Sequence, residues 1–323
     1  MTTIQHSIVD STDVDEHAAS LSDWSQKYEQ VSPGRFKGRL DVLSLGPVQV
    51  FRETMHQAVL MRTATAPNIV AVGAPVGDQS QGWFCGRPVD ETHIVRLATG
   101  REFELATRGD FDLAVVGVDL DFLNNYSRQI DGIESFSTLD HHQIVTGGAT
   151  DSSTLRELLL ATLATARDSP KLLEQEPLRR ALVRSLCDEL IACSNQPRTK
   201  GGATDATVAT RQRVVREARH YMSQHADVAI SVPDLCEAIH VSRRTLQYSF
   251  QDVLQMSPVA YLRALRLNGM RRDLRHGGPE SVGDRAARWG FWHLSHFAAD
   301  YRHMFGELPS ATLQRARTTP SQI

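Results

Sequence analysis

The sequence predicts an α+β protein with a β-rich N-terminal part and an all-helical C-terminal part. Between about residues 36 and 118, short runs rich in β-branched and aromatic residues alternate with glycine and proline turns. Beyond residue 207, apolar residues instead recur every three or four positions, the spacing of helices that bury one face. Residues 196–206 lack large apolar side chains and are predicted to be a linker. At 323 residues the chain is long enough for two separate cores.

Three successive segments are predicted in the N-terminal part of the chain. Residues 1–20 are polar and acidic, which predicts a disordered tail and leaves no apolar run of the kind that a signal peptide needs. Residues 21–31 are predicted to form a short amphipathic helix. The runs that follow are predicted to be strands of a small cupin-like β-barrel with room for one small molecule: Leu40–Leu45, Val48–Arg52, Val59–Thr63, Ile69–Val72, Glu102–Thr107 and Leu113–Val118.

Two leucine-rich helices are predicted after the strands, at Ser153–Arg167 and Pro177–Cys193. They would either form a dimerisation surface or pack on the barrel of their own chain, and the sequence does not separate these two alternatives. With the strands they make a predicted domain at residues 21–195.

Charge is unevenly divided along the chain. Residues 206–323 contain 16 arginines, no lysine and 10 acidic residues, a net charge of +6, whereas the remainder has 19 basic and 28 acidic side chains, a net charge of −9. This division suggests that the C-terminal part binds a polyanion, and the arginine guanidinium suits phosphate or a guanine edge. Four scattered cysteines without a CxxC pair, and no run of about 18 apolar residues, favour a cytoplasmic protein with reduced thiols.

A first helix-turn-helix unit is predicted at residues 233–254. Ser231 opens one helix, His240-Val241 form the turn, and Ser242 is placed to cap the next helix. One face of that second helix is apolar (Leu246, Phe250, Val253 and Leu254), and the other carries long polar side chains (Arg243, Arg244, Gln247, Tyr248 and Gln251). A helix that reads DNA needs both faces, although any single such helix can also be merely solvated.

A second unit of the same design follows at residues 281–302. A long helix begins at Ser257-Pro258 and ends at His276-Gly277-Gly278. After it come a short helix from Ser281, a turn at Gly290-Phe291, and a helix through Leu294, Phe297 and Tyr301. Two such units can enter successive major grooves about 34 Å apart on one face of DNA. The repetition predicts a DNA-binding domain at residues 207–323.

The last hundred or so residues resemble the AraC/XylS family of transcriptional regulators. The residues that carry this resemblance occur in order from Arg285 to Pro309 and include Ala286-Ala287, Gly290-Phe291, Phe297, Tyr301, Phe305-Gly306 and Pro309-Ser310. Within the family, the chain resembles the bacterial ethanolamine-operon regulators in VSRRTLQYSF, RLNGMRRDL, WGFWHLSHFAADYRHMF and, in the N-terminal half, SPGRFKG, VQVFRE and EFELAT.

The resemblance implies which residues contact DNA. In the first helix-turn-helix unit Arg244, Gln247 and Tyr248 would meet the bases. In the second helix-turn-helix unit Leu294, Ser295 and His296 would occupy the equivalent positions. The complete predicted set is Ser242, Arg243, Arg244, Gln247, Tyr248, Gln251, His293, Ser295, His296 and Arg302, the last being a phosphate contact. His293 and His296 lie three residues apart but have no third metal ligand nearby, so no metal site is expected.

The resemblance also implies a regulator of the activating kind, which would recruit RNA polymerase. It would respond to ethanolamine, with adenosylcobalamin as a second signal, and no cofactor is required. A small cation would need a carboxylate and aromatic walls, for which Glu53, Trp83, Glu102 and Glu104 are the candidates. Each could instead serve core packing or a surface ion pair. Another amine or metabolite, and a homodimer, are alternatives that stay open.

An enzyme is the least favoured class, even one that joins a cupin-type catalytic domain to a DNA-binding domain. The sequence has no nucleophile elbow, P-loop, Rossmann glycine pattern or HExxH.

Overall fold

The computed structural model describes residues 4–21, 24–131, 143–146, 149–195, 204–226 and 230–318. The chain forms two compact units. The first comprises Met1–Tyr28, Lys37–Phe84 and Pro88–Lys200, and the second comprises Glu29–Phe36, Cys85–Arg87 and Gly201–Ile323. The second unit thus contains a short stretch from near the N-terminus. Within the described residues, no helix is long and apolar enough to cross a membrane.

The first unit contains two β-sheets. The described strands are β1 (Ile4–Ser11), β2 (Ser25–Gln30), β3 (Gly38–Leu45), β4 (Val48–Met55), β5 (Val59–Ala64), β6 (Ile69–Pro75), β7 (Gly82–Phe84), β8 (Arg87–Val89), β9 (His93–Leu97), β10 (Glu102–Thr107), β11 (Phe111–Asp119) and β12 (Gln143–Thr146). In the part of the chain described, seven strands pair in the order β1-β3-β4-β11-β6-β9-β12 and five in the order β2-β5-β10-β7-β8. All six strands predicted from the sequence are confirmed, while their closure into a cupin-like barrel stays a prediction.

The core of this unit lies between the seven-stranded sheet and helices. Val116 of β11 is opposite Val50 of β4 on one side and Val72 of β6 on the other, and all three are buried. Leu159 and Leu190 belong to the same apolar cluster. They come from α3 (Ala149–Asp168) and α5 (Glu176–Asn195); the other helices of the unit are α1 (Val14–Ala19), α2 (Leu120–Asp131) and α4 (Pro170–Glu174). The leucine repeats therefore pack on their own sheet, and the dimerisation surface stays a prediction.

Two predictions for the N-terminus are wrong. Residues 4–20 are not a disordered tail, because β1 pairs with β3 along its whole length and Asp13 caps α1. Alternating partly buried and exposed residues in β1 give a low average hydropathy, which conceals a sheet strand. Residues 24–31 are not helical: Leu21, Trp24 and Tyr28 mimic a helical spacing, but Tyr28 lies in strand β2. Most of the predicted linker lies outside the described residues.

The second unit is built from helices α6 (Thr204–Gln224), α7 (Val232–Ala238), α8 (Arg243–Leu254), α9 (Pro258–Arg275), α10 (Val282–Arg288), α11 (Leu294–Phe305) and α12 (Pro309–Thr318). Serine side chains cap α7, α8, α9 and α10 by accepting a backbone N–H of the first turn. Gly269 of α9 allows the ring of Trp289 to approach, since a Cβ there would lie 2.3 Å from it. The helix-turn-helix order predicted from the sequence is confirmed.

Candidate nucleic-acid interface and effector cavity

Helix α8 has one buried and one exposed face. Leu246, Phe250 and Val253 are buried, and the Phe250 ring packs 5.8 Å from that of Tyr261 on α9. The Ser242 hydroxyl accepts the Thr245 N–H at 3.0 Å, so this residue orders the start of the helix whatever else it contacts. Burial of the apolar face fixes which side of α8 the solvent sees.

The exposed face of α8 carries all the residues that the sequence predicted there: Arg243, Arg244, Gln247, Tyr248 and Gln251. The Arg244 guanidinium lies 5.2 Å from the centre of the Tyr248 ring, a cation–π contact that holds both side chains at the surface. Neither Arg243 nor Arg244 forms an ion pair with a described residue. Both positive charges are therefore available to an anionic partner.

Helix α11 repeats this design with different surface chemistry. Phe297, Tyr301 and Phe305 are buried and form edge-to-face ring contacts, and the Tyr301 hydroxyl bonds to that of Thr312. The outer face exposes His293, Leu294, Ser295, His296 and Arg302.

The start of α11 differs most from that of α8. His293 occupies the N-cap position without a side-chain cap hydrogen bond. Trp292 is 71% exposed and Leu294 is 52% exposed, so the helix presents a large apolar group beside its first turn. Sequence reasoning missed Trp292; its place between the turn glycine and the predicted contact residues was the available signal.

Several other arginines of this unit are paired with acidic side chains. Arg271 pairs with Glu307 at 3.1 Å, Arg285 with Asp273 at 2.8 Å, and Arg263 with Asp300. Burial would raise the pKa of Asp273, but hydrogen bonds from Arg288 and Trp289 and the nearby positive charges hold that pKa below its usual value. Among the contact residues predicted from the sequence, three carry a positive charge without an acidic partner in the described part of the chain: Arg243, Arg244 and Arg302.

His293, the N-cap residue of α11, and His296, in its first turn, are neighbours at the start of this helix. Their ring centres are 6.0 Å apart. No group of three metal-binding side chains occurs in the part of the chain that the structure describes.

An enclosed cavity of about 30 Å³ lies in the first unit. Its wall is mostly apolar, and Gln26, Glu53 and Thr63 are the polar residues that line it. Glu53 is buried; its Oε1 accepts the Tyr28 hydroxyl at 2.9 Å and lies 3.0 Å from His17 Nε2. Burial and the charge of Glu53 raise the pKa of Tyr28 well above its usual value, which keeps that hydroxyl protonated as a donor.

The Thr63 hydroxyl is the second polar feature of this cavity. Thr63 is buried, and its Oγ1 has no hydrogen-bond partner among the described residues. A buried hydroxyl without a partner is costly, so this atom would gain from a polar ligand.

The effector candidates predicted from the sequence are not brought together. Only Glu53 lines the cavity, along with Phe51 and Phe84. Glu102 and Glu104 do not line the cavity: the Glu102 carboxylate accepts Arg62 Nε at 2.6 Å, and Glu104 lies 3.9 Å from the same guanidinium. The half-buried Trp83 ring stacks under Arg108 at 4.8 Å. Sequence reasoning missed His17, Tyr28 and Thr63, which lie on separate elements that only the fold assembles.

The helical region matches the family described as "Helix-turn-helix domain" over residues 235–315. A probable thc operon regulatory protein of Rhodococcus erythropolis is 38% identical over 109 residues, which cover 33% of this chain and 32% of that protein. The C-terminal region is therefore similar to regulators of the AraC/XylS family. An XylDLEGF operon transcriptional activator of Pseudomonas putida is 33% identical over 33% of this chain and 31% of its own length. The chain spans about a third of the length of these curated relatives.

Two of the similar solved structures each cover about a third of this chain. A probable AraC family transcriptional regulator from Rhodopseudomonas palustris is 37% identical, with 32% of this chain and 97% of that chain covered and a TM-score of 0.31. The DNA-binding domain of AdpA, solved with a target DNA, is 23% identical, with 34% and 97% covered and a TM-score of 0.31. The relatives are described as regulators, in line with the expectation that this chain is not an enzyme.

Proposed function

We propose that this protein is a sequence-specific DNA-binding transcriptional regulator. The observation that carries the proposal is the repeated arrangement of α8 and α11, each with a buried apolar face and an exposed face of hydrogen-bonding side chains. Arg243, Arg244 and Arg302 add positive charge that no described acid neutralises. Paired helices of this type place donors in the major groove and cations beside phosphates.

The two recognition helices divide the work. Gln247 and Arg244 form bidentate hydrogen bonds to adenine and guanine edges respectively, which gives base preference. Leu294, Ser295 and His296 have shorter reach, so α11 contributes shape and phosphate contacts, with Arg302 as a phosphate contact. The protein acts in the cytoplasm as an activator that contacts RNA polymerase, and a homodimer would present two such pairs to DNA.

The test is a gel-shift titration of the full chain over a range of salt concentrations, after selection of its operator from randomised DNA. We expect a defined operator and an affinity that falls steeply as salt rises, because phosphate contacts release counterions. Selection that returns no preferred sequence, with binding insensitive to salt, would reject the proposal.

The first unit senses a small molecule at its enclosed cavity. A buried carboxylate with aromatic walls suits an amine, and ethanolamine is the first candidate because of the resemblance to ethanolamine-operon regulators; another small amine is the alternative. The cavity of about 30 Å³ accepts only a group of a few atoms without expansion, so adenosylcobalamin does not fit it.

Ligand binding is tested by the melting temperature of the full chain. A ligand that binds only the native state stabilises it, so a small amine should raise the melting temperature of the wild type and not that of Glu53→Gln. A response that Glu53→Gln retains in full would place the amine elsewhere. No response to any small amine would remove the amine proposal and leave the DNA-binding proposal intact.

A further inference from the structure

The second unit includes a segment from near the N-terminus, Glu29–Phe36, which we name the clasp. Its residues pack with helices that follow some 230 to 270 positions later in the chain. Glu29 and Gln30 are both buried although they are polar. Buried polar residues of this kind need partners, and the helices of the second unit supply them.

Asn268 of α9 binds the clasp through its side-chain amide. Its Oδ1 accepts the backbone N–H of Gln30 at 3.2 Å, and its Nδ2 donates to the backbone C=O of the same residue at 2.9 Å. This pair of bonds resembles the exchange between opposite residues of two strands. Asn268 is completely buried, so losing the clasp would leave its amide without these partners.

The clasp also completes the C-terminal end of α11. The last carbonyls of a helix have no partner within the helix. Here the Gln30 Nε2 amide donates to the Met304 carbonyl at 2.7 Å, and the Gly34 N–H donates to the His303 carbonyl at 3.1 Å. The same Gln30 Nε2 also lies 2.8 Å from the Ser32 carbonyl and 2.6 Å from the Gly34 carbonyl, so its two N–H groups are shared among three acceptors and hold the loop of the clasp.

Gly306 makes the close approach possible. It ends α11 in the left-handed conformation, with φ of 72°. A Cβ on this residue would lie 3.1 Å from the Cβ of Arg35 and 3.2 Å from its backbone nitrogen, both in the clasp. The glycine therefore serves both the helix end and the seating of the clasp.

A third anchor fixes the start of α9. Glu29 Oε2 accepts the Tyr261 hydroxyl at 3.0 Å, and that hydroxyl accepts Arg219 Nε at 3.1 Å. Tyr261 packs in turn against Phe250, the buried aromatic residue of α8. The clasp thus contacts α9 at Tyr261 and at Asn268, and it contacts α11 at the C-terminal end of that helix.

We propose that the clasp is a working part of the DNA-binding unit and that Gln30 is a positioning residue for the second recognition helix. Gln30 does not touch DNA; it fixes the end of α11 that carries Arg302, and so the direction in which α11 presents its outer face. The inference rests on the proposed DNA-binding function. It assigns to an N-terminal residue a role in reading one half of the operator.

The experiment is footprinting of the full chain on its selected operator, with wild type and Gln30→Met. Methionine keeps the length and apolar stem of the side chain but removes the amide that donates to Met304. Gln247→Ala and Arg302→Ala identify the half-sites of α8 and α11. We expect Gln30→Met to lose protection over the α11 half-site, keep the α8 half-site, and bind the whole operator about five- to thirtyfold more weakly.

Gln212→Met is the matched control. Gln212 also belongs to the second unit and also donates its side-chain amide to a backbone carbonyl, that of Cys85, but it lies on α6. It should leave the α11 half-site protected. Protection by Gln30→Met equal to that of wild type, equal weakening of both half-sites, or the same α11 loss in Gln212→Met would each overturn the proposal.

Hydrogen exchange of the unliganded wild type gives a second measurement that needs no DNA. The Gln30 and Gly34 amides should exchange slowly, because both are bonded within the second unit. Exchange at the rate of open chain would overturn the clasp. If wild type binds no operator while these amides are protected, the DNA-binding proposal fails and the clasp stands only as a structural element.

Discussion

The two recognition helices have the same length and opposite surface chemistry. Both α8 and α11 have twelve residues and both bury an aromatic face. Helix α8 starts after a serine cap and exposes Arg244 and Gln247, whereas α11 starts after His293, which makes no side-chain cap bond, and is preceded by the exposed Trp292. Under the proposed function, α8 reads bases and α11 anchors on the DNA backbone, although the two helices share one backbone design.

The largest expected effect separates the buried faces from the exposed ones. Phe250→Ala should cost about 3–5 kcal/mol in the free energy of unfolding, because Phe250 is fully buried against Tyr261. Denaturant unfolding measures it, with Tyr248→Ala as the control, since the Tyr248 ring is 53% exposed and its loss should cost about 0.5 kcal/mol or less. Similar costs for both variants would mean that the faces of α8 are assigned incorrectly.

The second effect concerns the Glu307 carboxylate, which follows α11 and is bonded to residues of α9 and α12. Glu307 binds Arg271 at 3.1 Å, Arg315, and the Thr312 hydroxyl at 2.7 Å. Burial would raise the pKa of Glu307, but the hydrogen bonds from Arg315 and Thr312 and the charge of Arg271 hold it below 4.5. Since the folded pKa is lowered, the stabilisation is complete above pH 4.5 and is lost as the pH falls through the folded value.

Glu307→Gln should therefore cost about 2–3 kcal/mol at neutral pH and flatten the fall in stability below pH 4.5. Thermal unfolding from pH 7 to pH 3 measures both. Asp252→Asn is the control, because the ion pair between Asp252 of α8 and Arg211 of α6 is about 40% exposed at each side chain and contributes about 1 kcal/mol or less. An unchanged pH dependence in Glu307→Gln would show that the carboxylate does not support α11.

Base preference gives the third effect. Gln247→Ala should weaken operator binding by about 1–3 kcal/mol and relax the preference at particular base pairs of one half-site. His296→Ala should cost less and act almost equally on all sequences, because its reach and donor set are smaller. Selection on randomised DNA with each variant decides the matter. A second half-site that is read as sharply as the first, and is lost in His296→Ala, would break the comparison between the helices.

The two regions also differ in how far the sequence predicted them. In the helical unit, Leu246 and Phe250 repeat at helical spacing and serines mark the helix starts, so local signals sufficed for the order of elements. In the sheet unit, β1 alternates weakly and Tyr28 fell in a pattern that imitated a helix. The cavity residues and the clasp could not be predicted, because Tyr28–Glu53 and Gln30–Met304 meet through long-range polar contacts that leave no periodic pattern.

The smallest effect tests the phosphate role of α11 directly. Arg302 is exposed near the end of the helix and has no ion-pair partner among the described residues. Arg302→Ala should weaken binding on every sequence alike and lower the slope of log affinity against log salt by about one unit, since one phosphate contact releases about one counterion. Arg263→Ala is the control, because Arg263 is already paired with Asp300 and should change the slope little. If Arg302→Ala instead altered base preference while the salt slope stayed constant, α11 would be a reading helix like α8, and the difference in their surface chemistry would have another cause.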